Sequence, residues 1–263
     1  MGAETRETGD SRPKLSTRQR DRLLAEFAAN RHRVSSLAEL RRLGLSVDQV
    51  KRRVEDGRLV RRYRGIFAVG PGPLTDHGEW LAAALFAAPD GVVSHRDAAR
   101  LSCLQDGGAA GVIHITCPRR ISAPSGIRAH RSPLAPDERT ILHGVPTSTT
   151  GRTLLDCAAV GAPVRELERM LSEAHVLGLP IRPSLPELIV RHSGHRGLVA
   201  LRSAHAGFTG GSTRTKSDLE EDFLAFLDRR GFPRPHINHR IETLIGVLAV
   251  SYTHLTLPTN REV

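Results

Sequence analysis

Between Lys51 and Arg64 the chain carries seven basic side chains: Lys51, Arg52, Arg53, Arg58, Arg61, Arg62 and Arg64. Such groups make and break no bonds by themselves. They neutralise phosphates, and an arginine can also fork onto the edge of a guanine. The cluster is therefore either a solvated face or a surface for a polyanion, and the spacing must decide. Val47, Val50 and Val54 fall at i, i+3 and i+7, an apolar stripe on a helix that starts at a Ser46 cap and stops at Gly57. On that helix Gln49 and Arg52 point farthest from the stripe, flanked by Asp48 and Arg53. Gln49 and Arg52 are the candidate readers of base edges, Gln for adenine and Arg for guanine. Lys51, Arg53 and the cap at Ser46 are the candidates for holding phosphate.

The run "GRLVRRYRGIFAVG", residues 57–70, follows with two β-prone pieces, 58–62 and 66–69, joined by Arg62-Tyr63-Arg64-Gly65. Arg61, Arg62 and Arg64 are expected along the DNA backbone or the adjacent minor groove. Tyr63 either stacks and donates its hydroxyl there or packs against the preceding helix.

Other chemistry finds little support. There is no G-x-S-x-G elbow and no G-x-x-x-x-G-K-S/T phosphate loop. His192-x-x-His195 and His236-x-x-His239 have metal-like spacing but no third ligand to match, so they read as surface histidines. Asp156 sits inside an apolar helix and reads as structural. Cys103, Cys117 and Cys157 are odd in number and far apart, which fits buried thiols in a reducing compartment and not a disulfide framework. No enzyme activity, cofactor or metal is expected.

Three helix starts must position the basic residues, and each is a capping box: Ser16 with Gln19, Ser36 with Glu39, Ser46 with Gln49. The helices are expected at about 17–29, 37–43 and 47–56, the first presenting Leu23, Leu24 and Phe27, the second Leu37, Leu40 and Leu43. Three helices and then a hairpin is the element order of a winged helix-turn-helix. The charge follows the same division. Residues 1–70 hold 17 Lys and Arg against 9 Asp and Glu, leaving 21 against 19 for the rest of a chain whose net charge is +10. Double-stranded DNA is the partner this asymmetry favours, with RNA on the same face as the alternative. No apolar run is long enough to span a membrane, and a cytoplasmic location is expected.

The expected organisation is α+β: a disordered arm at 1–14, a winged helix-turn-helix at 15–70, a mixed α/β middle domain at 75–206 and a Gly/Ser/Thr-rich linker at 207–217. In the middle domain, helices are expected at about 78–88 and 163–177, with Ser94 capping another through Asp97. "GVIHITCP" and "GIRAHRS" alternate like strands. An incomplete C-terminal stub at 218–246 precedes a change of character at 251–263.

The basic unit with its "GRLVRRYRGIFAVG" hairpin resembles the N-terminal domain of the AbiEi family, the antitoxins of type IV toxin-antitoxin systems. The resemblance continues through "VVSHRDAARL" and "GIRAHRSPLAPDERTILHGVPTSTTGRTLLDCA" and spans roughly residues 18–205. It implies a winged helix that represses its own operon, possession of antitoxin activity by the following domain, and a cognate toxin of nucleotidyltransferase type. A dimer, or two bound monomers, on paired half-sites is the expected assembly on DNA. Separately, "TKSDLEEDFLAFLDRRGFPRPHINHRI" resembles the opening of a very-short-patch-repair-like endonuclease, a PD-(D/E)xK-like fold in which Glu220 matches the helix acid. The later acids of that fold are absent, and "SYTHLTLPTNREV" looks like a translated sequencing adapter, which would leave the nuclease-like domain cut short. One glutamate cannot hold the divalent ion such chemistry needs. A metal-dependent endonuclease targeted by its winged helix is the competing reading for the whole gene.

Overall fold

The structure is a computed structural model that describes residues 16–109, 111–209, 227, 229–230 and, as backbone, 237–243 and 246–252. The expected arm at 1–14, the linker at 207–217 from residue 210 onward and Glu220 lie outside the described residues.

The chain begins α1 (Thr17–Ala29), β1 (Val34–Ser36), α2 (Leu37–Arg42), α3 (Val47–Glu55), β2 (Leu59–Tyr63) and β3 (Ile66–Val69). All three expected capping boxes form, with each serine side chain accepting from the third helical N–H and the Gln or Glu side chain reaching back to the cap. Such a box satisfies two backbone donors that a helix start otherwise leaves open. The strand β1 was not expected. It is three residues long, and its last residue, Ser36, doubles as the cap of α2. It pairs antiparallel with β3, giving a sheet of order β1-β3-β2.

Each face of this small sheet packs against a different layer. Leu59 and Phe67 join Leu24, Leu40, Leu45 and Val50 beneath the three helices. Val34, Tyr63 and Ile66 instead join the core of the next unit. A bulge makes the switch. Arg61 pairs with Phe67 and Tyr63 with Ile66, so Arg62 is the extra residue and Tyr63 turns to the opposite face from Leu59.

The next unit is built on α4 (Asp76–Phe86), β4 (Val92–Val93), α5 (His95–Leu101), β5 (Ile113–Cys117), β6 (Ile127–Arg131), β7 (Arg139–Leu142) and β8 (Val145–Ser148). The five strands form a mixed sheet of order β6-β5-β4-β8-β7, parallel at β5/β6 and β4/β8 and antiparallel at β4/β5 and β7/β8. The sequence WLAAALF makes α4 apolar on all sides, as a helix enclosed by protein must be, and it touches both sheets. Gly78 permits that approach, because a Cβ there would lie 2.9 Å from the His32 carbonyl oxygen.

Helices α6 (Thr150–Ala159), α7 (Val164–Val176), α8 (Leu185–Arg191) and α9 (Leu198–Thr209) form a further layer around Leu154, Leu155, Leu167, Met170, Leu171 and Leu201. Inside it Arg152 is fully buried and donates to Asp156, Glu138, Ser132 and the Pro133 carbonyl, while Arg191 and His192 close on Glu138 from the other side. Asp156 is therefore a member of a buried ion network, in keeping with its structural reading. Cys117 and Cys157 are buried as expected, but Cys103 is exposed. Ser94 stands before α5 without capping it through its side chain. Asp97, expected to complete that cap, instead accepts from Trp80 Nε1 and the His114 N–H.

Strands β9 (Ile237–Thr243) and β10 (Gly246–Tyr252) form an antiparallel pair, with the first of them at the expected "PHINHRI". Among the described residues no helix is long and apolar enough to cross a membrane.

Candidate nucleic-acid interface

The outer surface of α3 and β2 carries the basic residues. Arg52 and Lys51 are exposed on α3, as are Arg61, Arg62 and Arg64 on the hairpin and Arg41 and Arg42 at the end of α2. Two causes keep them outward. On α3 the apolar side is fixed by Val50, which is buried beneath Leu24 and Leu40, so Arg52 is carried to the far side. On β2 the bulge leaves Val60, Arg61 and Arg62 all exposed between two buried ends, Leu59 and Tyr63.

The individual residues differ in how free they are. Among the described residues Arg52 and Arg64 make no ion pair. Lys51 lies 4.0 Å from Glu55, both well exposed, a pair that contributes little and yields easily to phosphate. Arg61 sits over the Phe67 ring at 5.9 Å, which steadies the guanidinium without neutralising it. Arg62 is bound to Glu79 of α4 at 2.8 Å. Ser46 is exposed at the start of α3, but its N–H already donates to Gln49 Oε1 at 3.0 Å. Half of the Gln49 carboxamide is thus occupied in the cap, leaving its NH2 for a base edge.

Two expected members face inward. Arg53 is 6% exposed and donates to Asp21 at 2.7 Å and to the Gln49 carbonyl. Helical geometry explains the difference, because Arg53 and Val47 lie equally far to either side of Val50. The packing of α1 chooses Arg53, with Asp21 offsetting its charge, and leaves Val47 56% exposed. Tyr63 is 8% exposed, tilted against Phe86 at 5.8 Å, and burial pushes its hydroxyl above its ordinary pKa while Arg62 opposes that. It packs against the middle unit, not against α3 and not in the basic surface. Arg41 and Arg42, in the last turn of α2 just before Gly44, are exposed as well.

Residues 22–70 match the family model described as a transcriptional regulator, the AbiEi antitoxin. No curated protein matches the chain. Among solved structures, the RV2827C protein from Mycobacterium tuberculosis is 18% identical, with the alignment covering 84% of this chain and 87% of that one at a TM-score of 0.46. The family match runs from α1 to the end of the hairpin and supports a role as a transcriptional regulator of the AbiEi antitoxin kind for that unit.

Proposed function

We propose that the unit from α1 to β3 works as a winged helix-turn-helix on double-stranded DNA, with α3 in the major groove and the β2–β3 hairpin as its wing. The single observation that carries this reading is the exposure of Arg52, Arg61 and Arg64 on elements held rigid by capping boxes and by two cores. Arg52 reads a guanine and the free half of Gln49 an adenine, while Lys51, Arg61, Arg64 and the start of α3 at Ser46 hold phosphates. Arg62 joins them once released from Glu79. The net charge of residues 41–64, nine basic against three acidic side chains, supplies the sequence-independent part of the affinity.

The mechanism is occupancy of an operator. Repression of the chain's own operon, and neutralisation of a cognate nucleotidyltransferase-type toxin by the middle unit, complete the proposal. Cytoplasmic location and a dimer on paired half-sites go with it.

The experiment is a salt titration of binding to a duplex from the region upstream of the gene. Arg64→Ala should flatten the slope of log K against log salt by about 0.9, one phosphate's share. Arg52→Ala should cost about 1 to 3 kcal/mol and relax sequence preference at one position. Binding unaltered in both variants, or displacement by structured RNA in preference to duplex, would overturn the reading.

A further inference from the structure

The geometry points to a binding site for one divalent transition-metal ion of the zinc class, held by the imidazoles of His95, His114 and His130 in the middle unit. The site is distinct from the basic surface and rests on none of the residues assigned to DNA.

The three rings meet through sheet register. β5 and β6 run parallel, with His114 opposite Arg128 and Thr116 opposite His130. Side chains alternate between faces along a strand, so His114, Thr116 and His130 share one face. The start of α5, packed on β5, brings His95 to them with a backbone φ of 56°, in the left-handed region that residues with a Cβ seldom occupy. One ligand atom from each ring then lies within 4.8 Å of the other two. His130 Nε2 and His114 Nδ1 are 3.2 Å apart, and the His95 ring stacks on His130 with centroids at 3.8 Å. Zinc–nitrogen bonds of about 2.0–2.1 Å set neighbouring ligand nitrogens about 3.3 Å apart in a tetrahedron. The His114–His130 pair already has that spacing, and a swing of the His95 ring supplies the third donor.

Neighbouring groups orient the first ligand. Ser94 Oγ lies 2.8 Å from His95 Nδ1 and accepts from Thr116 Oγ1, also at 2.8 Å. With Nδ1 protonated, Ser94 accepts from both sides and His95 Nε2 is left as a lone pair, the arrangement in which a second partner fixes a metal-binding tautomer. The charges around the site oppose one another: Arg96, Arg100 and Arg128 work against a cation at His114, and the buried Asp97 carboxylate works for it. Arg152 adds to the positive field at His95. Three imidazoles without a carboxylate select zinc, copper or nickel over magnesium or calcium.

The competing reading is a stack of neutral, mutually hydrogen-bonded histidines that holds no ion. The test uses the full-length untagged chain, stripped with a chelator and titrated with Co²⁺ by visible absorption and with Zn²⁺ by calorimetry. The wild type should saturate at one equivalent, and Zn²⁺ should raise its thermal midpoint. His114→Ala should lose both effects, and Ser94→Ala should weaken binding by about 10- to 100-fold. His192→Ala, at the other histidine pair, should bind as the wild type does. His130→Gln keeps a polar, similarly sized side chain and should lose binding while retaining the wild-type circular dichroism spectrum, which separates lost ligation from lost fold. No stoichiometric uptake by the wild type, or uptake retained in both His114→Ala and His130→Gln, overturns the site.

Discussion

Arg62 on the hairpin and Glu79 on α4 are joined at 2.8 Å, the arginine 47% exposed and the glutamate 19%. The bond ties the wing to the middle unit at the point where the bulge turns Arg62 outward. In free protein it withholds one cation from the basic surface. Its own contribution to stability is small, since a pair this open to water is worth about 0 to 1 kcal/mol. Glu79→Gln should therefore leave the unfolding midpoint near that of the wild type and make non-specific duplex binding tighter. The salt slope should steepen by about 0.9 as Arg62 gains a phosphate. A slope equal to that of the wild type would show that loss of the Glu79 pair hands no further phosphate to Arg62.

Arg53 provides the opposite case, a basic residue of α3 that serves the fold. Its guanidinium is nearly enclosed and reaches Asp21 of α1 and the Gln49 carbonyl. Among the described residues, Arg53→Ala leaves Asp21 paired with only the exposed Arg58 and opens a gap between α1 and α3. The expected loss is about 1 to 3 kcal/mol in urea unfolding, the range for a buried charged hydrogen bond. Folded variant should keep the wild-type salt slope. A flattened slope with unchanged stability would return Arg53 to the interface.

What the sequence disclosed and what it hid divide along physical lines. Caps are local, so Ser16, Ser36 and Ser46 with their partners three residues on could be recognised without any knowledge of tertiary contacts. The choice between Arg53 and Val47 could not, because both sit at the same angle from Val50 and only the position of Asp21 decides. Tyr63 was hidden by the bulge at Arg62, since one extra residue exchanges the faces of a strand. The histidines show the same limit. His192 and His195 are close in sequence and drew attention, yet their rings stand 6.1 Å apart and His192 is held by Glu138. His95, His114 and His130 are widely separated in sequence and meet only through the β5/β6 register.

Arg152 is the only cation wholly inside the network that also holds Glu138 and Asp156 among the described residues, with both carboxylates almost or fully enclosed. Arg152→Met keeps the volume and removes the charge. Breaking such a buried pair should cost about 3 to 5 kcal/mol at neutral pH. The pH dependence has a definite sign. Burial already raises Asp156 from 3.8 to about 6, above its unfolded value, and loss of Arg152 removes a group that lowers it. The folded variant then binds its proton more readily than the unfolded chain, so stability rises as pH falls through the folded pKa. Urea unfolding should show a larger deficit at pH 7.5 than at pH 5. An equal deficit at both would mean that removing Arg152 leaves the Asp156 pKa where it is in the wild type.

Gln49 combines two roles, and one substitution separates them. Its Oε1 accepts from the Ser46 N–H while its own N–H donates to Ser46 Oγ. Glutamate has the same reach and is itself the favoured partner in a capping box, and a negative charge in the first turn suits the helix dipole. Gln49→Glu should therefore unfold within about 0.5 kcal/mol of the wild type, as a surface change that breaks no special feature does. The same change removes the carboxamide NH2 from the outward side of α3 and sets a carboxylate toward the phosphates. Duplex affinity should fall, and the loss should be largest at low salt, where repulsion is least screened. Equal duplex affinity for Gln49→Glu and wild type at low salt, with the cap intact, would place α3 outside the groove.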